Sequence, residues 1–351
     1  MTDNNYTKDN YLHNDNIKRL IEQEKQTIKQ YIKKDLSSTV NFINEVTDYS
    51  FAKTGKLIRP LLTVAFAKAF SYQNGDIIYQ LATMIEYIHT ATLLHDDIVD
   101  NSDLRRGNLT VNKQFNNSTA VLVGDFIYTR AFQLMLVANS LEIMQIMADS
   151  TNKISEGEIL QLINIGNYDI NTYLEIIESK TANLFIAAAK IAAILAKIKS
   201  EKIKLVVKFA RNLGILFQMT DDIRDYIAID IGKIGKPIGQ DLTEGKITLP
   251  IIYALDYANA NEKQKITNII NDNKNNTQKI NQQQNLDYII SIFNKYNIID
   301  KCQLTINKYY NQAYDSLNLL FNQHQITQDN IINKQEYIDM LKYLPKQIIA
   351  L

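Results

Sequence analysis

Three aspartates lie within five residues in the segment LLHDDIVD, residues 93–100. Asp96 and Asp100 are four positions apart, so in a helix they share a face, with Cβ atoms about 5–6 Å apart. Mg²⁺ prefers oxygen ligands, keeps several waters and is often shared with substrate phosphates. The spacing therefore predicts a magnesium site. A solvated acidic face is the commoner explanation of one such match, but here an apolar run leads directly into the acids.

A second acidic segment repeats the spacing of the first. FQMTDDIRD, residues 217–225, contains Asp221, Asp222 and Asp225, again after an apolar run. Because buried charges must be paired or bound to metal, this recurrence argues against a solvated face. Two facing helices of this kind would hold several Mg²⁺ ions at one end of a bundle, where the ions would bind a diphosphate.

Basic residues cluster around both acidic segments. They are Lys56 and Arg59 in GKLIRP, Arg105 and Arg106 in DLRRG, and Lys180, Lys236 and Lys246. Arginine and lysine bind phosphate oxygens directly, arginine in bidentate fashion. The local segregation of charge predicts acids that hold metal beside cations that hold phosphate.

The adjacent pair His95 and Asp96 also fits a metal-dependent phosphohydrolase. That chemistry needs further histidine ligands, and outside His89 only His13 and His324 remain, both in polar segments without acidic neighbours. We therefore reject this class of enzyme. His89 lies seven residues before Asp96, two turns along the same helical face.

The composition limits which elements can position these groups. The 351 residues include only 11 Gly and 4 Pro, too few turn residues to connect the many short strands of a sandwich or barrel. From residue 17 onward, apolar residues recur every three or four positions, which is typical of helices. The predicted fold class is all-α, a single large bundle of about 12–13 helices around a central cavity.

The apolar repeat also gives approximate helix boundaries. The predicted helices are 17–34, 36–50, 57–72, 76–103, 118–139, 141–164, 171–198, 201–230, 247–260, 262–273, 284–296, 300–324 and 334–349. No linker divides the chain. We expect a disordered N-terminus over residues 1–16 and a single domain over 17–351.

Charge and hydropathy exclude several partners and compartments. Lys+Arg and Asp+Glu number 38 each, so no net field favours nucleic acid or an anionic membrane. The single Cys302 excludes an internal disulfide framework and fits a reducing compartment. The first residues show no signal peptide, and lysines interrupt the most apolar stretch, 184–199, which predicts no transmembrane segment. We expect a cytoplasmic protein.

Seven blocks together resemble the trans-isoprenyl diphosphate synthases, the polyprenyl synthetase family, over about residues 20–350. The blocks are GKLIRP, EYIHTATLLHDDIVDNSDLRRG, AVLVGDFIYTRAFQLM, ISEGEILQL, KTANLF, FQMTDDIRDY and GKPIGQDLTEGKITLP. Several are most similar to bacterial octaprenyl and decaprenyl synthases, which make quinone side chains. The resemblance implies the isoprenoid synthase type I fold. It also implies condensation of isopentenyl diphosphate with an allylic diphosphate, such as farnesyl or geranylgeranyl diphosphate.

The resemblance assigns roles to matching positions. Asp96 and Asp100 would bind two Mg²⁺ ions and Asp221 a third, supported by Asp97, Asp222 and Asp225. Isopentenyl diphosphate would be held by Lys56, Arg59, His89 and Arg106. The allylic diphosphate would be held by Arg105, Lys180, Thr181, Gln218, Lys236 and Lys246.

Two positions depart from the family pattern, and neither is an expected ligand: Leu109 replaces a proline after the paired arginines, and Gln240 replaces a lysine or aspartate.

In the expected reaction, loss of diphosphate gives an allylic cation that isopentenyl diphosphate attacks. Backbone carbonyls near Lys180 and Thr181, with the Gln218 amide, would stabilise this cation by their dipoles.

The residues before Asp96 predict the length of the product. The growing tail would run along this helix toward its N-terminus, past Thr92, Ala91 and Ile88, which lie four, five and eight residues before Asp96. Family members with short products resemble this chain except for a bulky aromatic at one of the first two positions. Small side chains here predict about eight to ten isoprene units, C40–C50.

Three alternatives stay open at this point: a shorter-chain synthase of the geranylgeranyl type, a non-catalytic regulatory subunit of a heteromeric synthase, and a terpene synthase of the same fold. The intact second acidic segment argues against the regulatory subunit. The GKLIRP block and the paired arginines argue against a terpene synthase, because they serve a second diphosphate substrate in the family.

The resemblance also implies a homodimer, and release of the product would bring the protein into peripheral contact with a membrane.

Overall fold

Long apolar repeats with few glycines and prolines form helices that pack on one another through most of the chain. The computed structural model describes residues 3–164, 169–227, 239–274, 282–321 and 331–350. Its helices are α1 Asp3–Asp35, α2 Asn41–Ala52, α3 Ile58–Ala69, α4 Gly75–Val99, α5 Val111–Gln114, α6 Asn117–Met135, α7 Leu141–Ile163, α8 Ile170–Ile177, α9 Asn183–Leu195, α10 Ser200–Arg224, α11 Gln240–Thr243, α12 Leu249–Tyr257, α13 Ala260–Lys274, α14 Gln282–Tyr296, α15 Ile298–Phe321 and α16 Ile331–Ile349.

The core lies between the most apolar helices. α4 packs against α3 and α6, and α10 packs against α9 and α15. Phe66, Phe185 and Phe209 are completely buried between α3, α9 and α10. These helices are apolar around most of their circumference because other helices surround them. The predicted all-α bundle is confirmed.

The helix that carries the first acidic segment ends earlier than predicted. α4 stops at Val99 rather than at residue 103, and a two-stranded hairpin follows, β1 Leu104–Arg105 paired with β2 Asn108–Leu109. Its turn needs left-handed backbone at Arg106 (φ 52°) and Gly107 (φ 76°). A glycine adopts that conformation without steric cost. The hairpin folds the paired arginines back toward α4.

The single helix predicted over 171–198 is interrupted. α8 ends at Ile177, a π-helical turn covers Glu178–Ala182, and α9 begins at Asn183. A π-helical turn accommodates an extra residue within a helix and is frequent at functional sites. Lys180 and Thr181 lie in this turn.

Other boundaries also differ from the prediction by several residues, most of all at the start of α1 and the end of α10. α1 begins at Asp3 rather than at 17, although its first described buried side chain is Ile17. α10 ends at Arg224 rather than at 230. The division into residues 1–16 and 17–351 stays a prediction.

One segment of the described chain matches a membrane span in length and composition. It covers Asn117–Ala138, has a mean hydropathy of 1.4, and has 39% of its most apolar window buried. Core helices of soluble proteins reach the same values, so the match is weak support for a span. The sequence prediction that no segment crosses a membrane considered only the stretch 184–199, and it stays a prediction.

Candidate active site

Both acidic segments reach one end of the bundle, where the chain after residue 238 contacts each of them. Asp225, at the end of α10, accepts hydrogen bonds from the backbone N–H groups of Gln240 (3.2 Å) and Asp241 (3.0 Å). Six residues after Gln240, the Lys246 ammonium donates to Asp100 Oδ2 at the end of α4 (2.7 Å). The ends of α4 and α10 therefore face a common space.

Asp97 turns away from that space and pairs with Arg105. Arg105 Nε lies 2.9 Å from both carboxylate oxygens of Asp97, and Nη2 lies 2.6 Å from Oδ1. Burial lowers the pKa of Arg105, but the hydrogen bond and charge of Asp97 raise it by more. Asp97 is 2% exposed, so it acts as a buried counter-ion for Arg105. The sequence predicts Arg105 as a phosphate ligand, but it does not predict this pair.

Asp96, in the first acidic segment, faces the common space. Its carboxylate has no hydrogen-bond partner among the described residues. Burial raises its pKa to about 7; Lys180 opposes this shift, and Glu158 and Asp100 add to it. A desolvated carboxylate with acidic neighbours is stabilised by a cation.

The exposed Asp221 likewise has no hydrogen-bond partner in the described chain. As placed, no three His, Cys, Asp or Glu side chains of the described residues are close enough to hold a metal ion. The donor chemistry nevertheless fits Mg²⁺, because Asp96, Asp100 and Asp221 offer hard oxygen ligands at the common space.

Lys246 occupies the position next to Asp100 that a bound cation would take. Its ammonium lies 2.7 Å from Asp100 Oδ2 and 2.7 Å from Glu244 Oε2. Burial lowers the pKa of Lys246, but the charges of Asp100, Glu244 and Asp241 raise it well above its usual value. Lys246 therefore stays charged beside the acids. Lys236, a predicted ligand of the same block, lies outside the described residues.

Lys180 of the π-helical turn is held by two side chains of α7. Its ammonium donates to Glu158 Oε2 (2.6 Å) and Gln161 Oε1 (3.2 Å). Gly157 permits this approach, since a Cβ there would lie 2.9 Å from the backbone nitrogen of Lys180. Glu158 and Gln161 lie in the block ISEGEILQL, whose resemblance to the family predicts no role for either residue. The available signal was the three-residue spacing between Glu158 and Gln161, which places both side chains on one face of α7.

The predicted isopentenyl diphosphate ligands Arg59 and His89 are in contact. Arg59 Nη1 lies 3.2 Å from His89 Nε2, and its guanidinium stacks 4.5 Å from the Phe185 ring centroid. Burial lowers the pKa of Arg59 to about 10, which still leaves it charged at neutral pH. Burial and the neighbouring guanidinium groups lower the pKa of His89 well below its usual value, so the imidazole is neutral.

Glu86 is a buried acid that the sequence analysis missed. Burial raises its pKa to about 7, and the charges of Arg106 and Arg59 oppose that shift. Glu86 lines a cleft together with Arg105 and Arg106. Its position one turn before His89 on α4 was the available signal.

Arg106, in the hairpin turn, lines the same cleft and bonds the loop before α3, which carries Lys56. Arg106 Nη1 donates to the backbone oxygen of Lys53 (2.8 Å), and a Cβ at Gly55 would lie 2.7 Å from Arg106 Nη2. Burial and Arg224 lower the pKa of Lys56, whereas Asp221 raises it. The exposed Lys56 ammonium is therefore within the electrostatic reach of the second acidic segment.

The predicted chain-length residues lie on α4 as expected from their spacing. Ala91 and Ile88 are completely buried, and Thr92 is half-buried. The Thr92 hydroxyl donates to the backbone oxygen of His89 (2.8 Å), so it is satisfied within its own helix. Two groups of basic side chains thus lie near the acids, at the end of a helix whose preceding turns are apolar. Such a site can bind diphosphates and exclude water from an apolar tail.

Comparisons with known proteins give a consistent result. The model of the polyprenyl synthetase family matches residues 40–286. The octaprenyl diphosphate synthase of Escherichia coli (strain K12) is 44% identical over 256 residues, 72% of this chain and 79% of that protein. The octaprenyl diphosphate synthase of Haemophilus influenzae is 38% identical over 308 residues, 87% of this chain and 91% of that protein. The crystal structure of a polyprenyl synthase from Caulobacter crescentus, complexed with calcium and isoprenyl diphosphate, has a TM-score of 0.83 and 31% identity, covering 96% of this chain and 97% of that one.

Proposed function

The chain belongs to the polyprenyl synthetase family and is a trans-prenyltransferase, and from this premise we propose that it is a magnesium-dependent synthase of long all-trans polyprenyl diphosphates for quinone side chains. The observation that carries the proposal is the contact of one segment with the ends of both α4 and α10: Lys246 bonds Asp100, and the backbone at 240–241 bonds Asp225. The names of its relatives, octaprenyl diphosphate synthases, support a product of about C40–C50.

Asp96, Asp100 and Asp221 would hold the metal ions, three per active site by the family pattern. Magnesium, when bound, would stabilise the negative charge that develops on the departing diphosphate. Lys180 and Lys246 bind the same diphosphate through their ammonium groups, beside the acids that would hold the metal. Since both are already held near the acids, little reorganisation is required of them.

The second substrate is placed by the cluster around Arg59. Arg59, His89, Arg106 and Lys56 bind the diphosphate of isopentenyl diphosphate and hold its double bond near the allylic carbon. Fixing two reactants in one orientation replaces a bimolecular encounter by an effectively unimolecular step. A proton is then lost to the released diphosphate, so no side-chain base is needed.

The assay that tests this function measures incorporation of labelled isopentenyl diphosphate into a butanol-extractable product. Farnesyl diphosphate is the primer, and the reaction runs with Mg²⁺, with and without a chelator. We expect incorporation only with metal, and mass spectrometry of the hydrolysed product should give C40–C50. Metal-dependent incorporation that stops at C20 would favour a geranylgeranyl-type synthase. No incorporation would contradict the proposal and favour a regulatory subunit.

A second copy of this chain is the proposed occupant of an exposed apolar face on α6 and α7. Leu122, Phe132, Leu136 and Leu141 are 68%, 46%, 61% and 83% exposed, which is unusual for large apolar side chains grouped on neighbouring helices. Between these helices lies a groove of about 690 Å³. The same face contains the apolar segment 117–138. A homodimer would cover it without requiring a membrane.

Charged substitutions on this face should separate the dimer. We expect the unsubstituted protein to have twice its chain mass of 40.3 kDa by light scattering, and Phe132→Glu with Leu136→Glu to have the chain mass. Leu304→Glu is the matched control, since Leu304 is 70% exposed on α15. A monomeric unsubstituted protein would contradict the dimer.

We further propose a cytoplasmic location with peripheral membrane contact at product release, which cell fractionation tests.

A further inference from the structure

Three hydrogen bonds connect α8 to the π-helical turn through α10. The Tyr173 hydroxyl donates to Asp222 Oδ2 (2.6 Å). Gln218 Nε2 donates to Asp222 Oδ1 (2.9 Å), and Thr181 Oγ1 donates to Gln218 Oε1 (2.8 Å). We call these four residues the Tyr173 relay. It leads from a tyrosine outside the acidic segments to the turn that carries Lys180.

The relay is buried along most of its length. Tyr173, Asp222 and Thr181 are 5%, 3% and 5% exposed. Asp222 and Gln218 are four residues apart on α10 and share a face. In such surroundings, a hydrogen bond is strong and an unpaired polar group is costly. The relay therefore holds one arrangement.

The chemistry of the donors fixes the orientation of the Gln218 amide. The NH₂ group of the amide is a donor and its oxygen is an acceptor, and they bond Asp222 Oδ1 and the Thr181 hydroxyl respectively. In the described chain, Asp222 Oδ2 accepts two hydrogen bonds. One comes from the Tyr173 hydroxyl, and the other, at 3.4 Å, comes from the backbone N–H of Leu249. Tyr173 is thus the main restraint on Asp222 Oδ2.

We propose that Tyr173 is a positioning residue that acts through Asp222 to keep the Gln218 carbonyl oxygen directed at the π-helical turn, where the allylic cation forms. This proposal rests on the proposed function and adds to it a residue that touches neither substrate nor metal. The oxygen of a fixed amide dipole stabilises positive charge without reorganisation when the carbon–oxygen bond breaks. A freely rotating amide would lose part of that stabilisation.

The test is a double-mutant cycle with Tyr173→Phe and Gln218→Leu. Tyr173→Phe removes only the hydroxyl, and we expect kcat to fall about tenfold while KM for each diphosphate changes by less than about twofold. If Tyr173 acts through Gln218, the double variant should have the kcat of Gln218→Leu alone. Tyr253→Phe is the matched control, because its hydroxyl bonds Thr305 Oγ1 (2.7 Å) between α12 and α15.

Two outcomes would overturn the proposal: an unchanged kcat in Tyr173→Phe, or a further tenfold loss in the double variant, which is the pattern of an independent structural brace. Should Tyr173→Phe fail to fold, Thr181→Val breaks the relay at its other end. It must then lower kcat alone and have no added effect beside Gln218→Leu. The unsubstituted protein is assayed in parallel, so that its inactivity would count against the proposed function and not against the relay.

Discussion

Replacing Asp96 by alanine is expected to lower turnover about 10³-fold and leave the fold intact. The change removes a proposed metal ligand from the space that the ends of α4 and α10 face. It also relieves repulsion, because Glu158 and Asp100 raise the pKa of Asp96 in addition to burial. Steady-state incorporation of isopentenyl diphosphate and circular dichroism measure the two effects. Near-normal turnover would exclude Asp96 as a ligand.

The same variant has a pH-dependent effect on stability in metal-free buffer. The folded-state pKa of Asp96 is raised from 3.8 to about 7. The stability that its protonated form confers is present below about pH 4 and is lost as the pH rises through about 7. Asp96→Ala should therefore raise the melting temperature more at pH 8 than at pH 5. Asp103→Ala is the matched control, since its side chain is 71% exposed and pairs with Lys113, and it should keep turnover within about twofold.

Ala91→Phe is expected to shorten the product from C40–C50 to about C20 or less, since residue 91 lies five positions, roughly 7.5 Å along the axis, from Asp96. Ala91 is completely buried, so the phenyl ring must enter either the path of the tail or the surrounding core. Overpacking of the core alone would cost about 1–3 kcal/mol of stability. Chromatography of the dephosphorylated products measures chain length separately from stability.

Ala82→Phe provides the matched control for that experiment. Ala82 is equally buried on α4 but lies nine residues away, which places it on the opposite side of the helix. We expect a similar loss of stability and an unchanged chain length. A graded series, Ala91→Val and Ala91→Leu, should give intermediate products. Full-length product from Ala91→Phe would show that the tail follows another path.

The sequence predicted the elements of the site whose information is local. Four-residue spacing placed Asp96 and Asp100 on one face of α4, and apolar periodicity placed the helices. The end of α4 was predicted too late, because the helix stops where the backbone turns left-handed at Asn101 (φ 52°). Periodicity carries no signal for such a change of direction.

The contacts between side chains could not be predicted, because they depend on how distant helices pack. Tyr173 and Asp222 are 49 residues apart in sequence and meet only when α8 crosses α10. Likewise, three aspartates in five residues look equivalent in the sequence, yet packing turns Asp97 to Arg105 and leaves Asp96 facing the site. The π-helical turn was missed because 171–198 continues a helical pattern through it.

The ion pair between Lys246 and Asp100 links two binding events. A cation that binds Asp100 would displace the ammonium from it, and the ammonium would then keep Glu244 alone until phosphate oxygens arrive. Binding of one ligand therefore reduces the free energy that the other needs to break this ion pair. By linkage, cation and diphosphate raise one another's affinity by the same factor, so this end of the bundle takes up the pair far more readily than either alone.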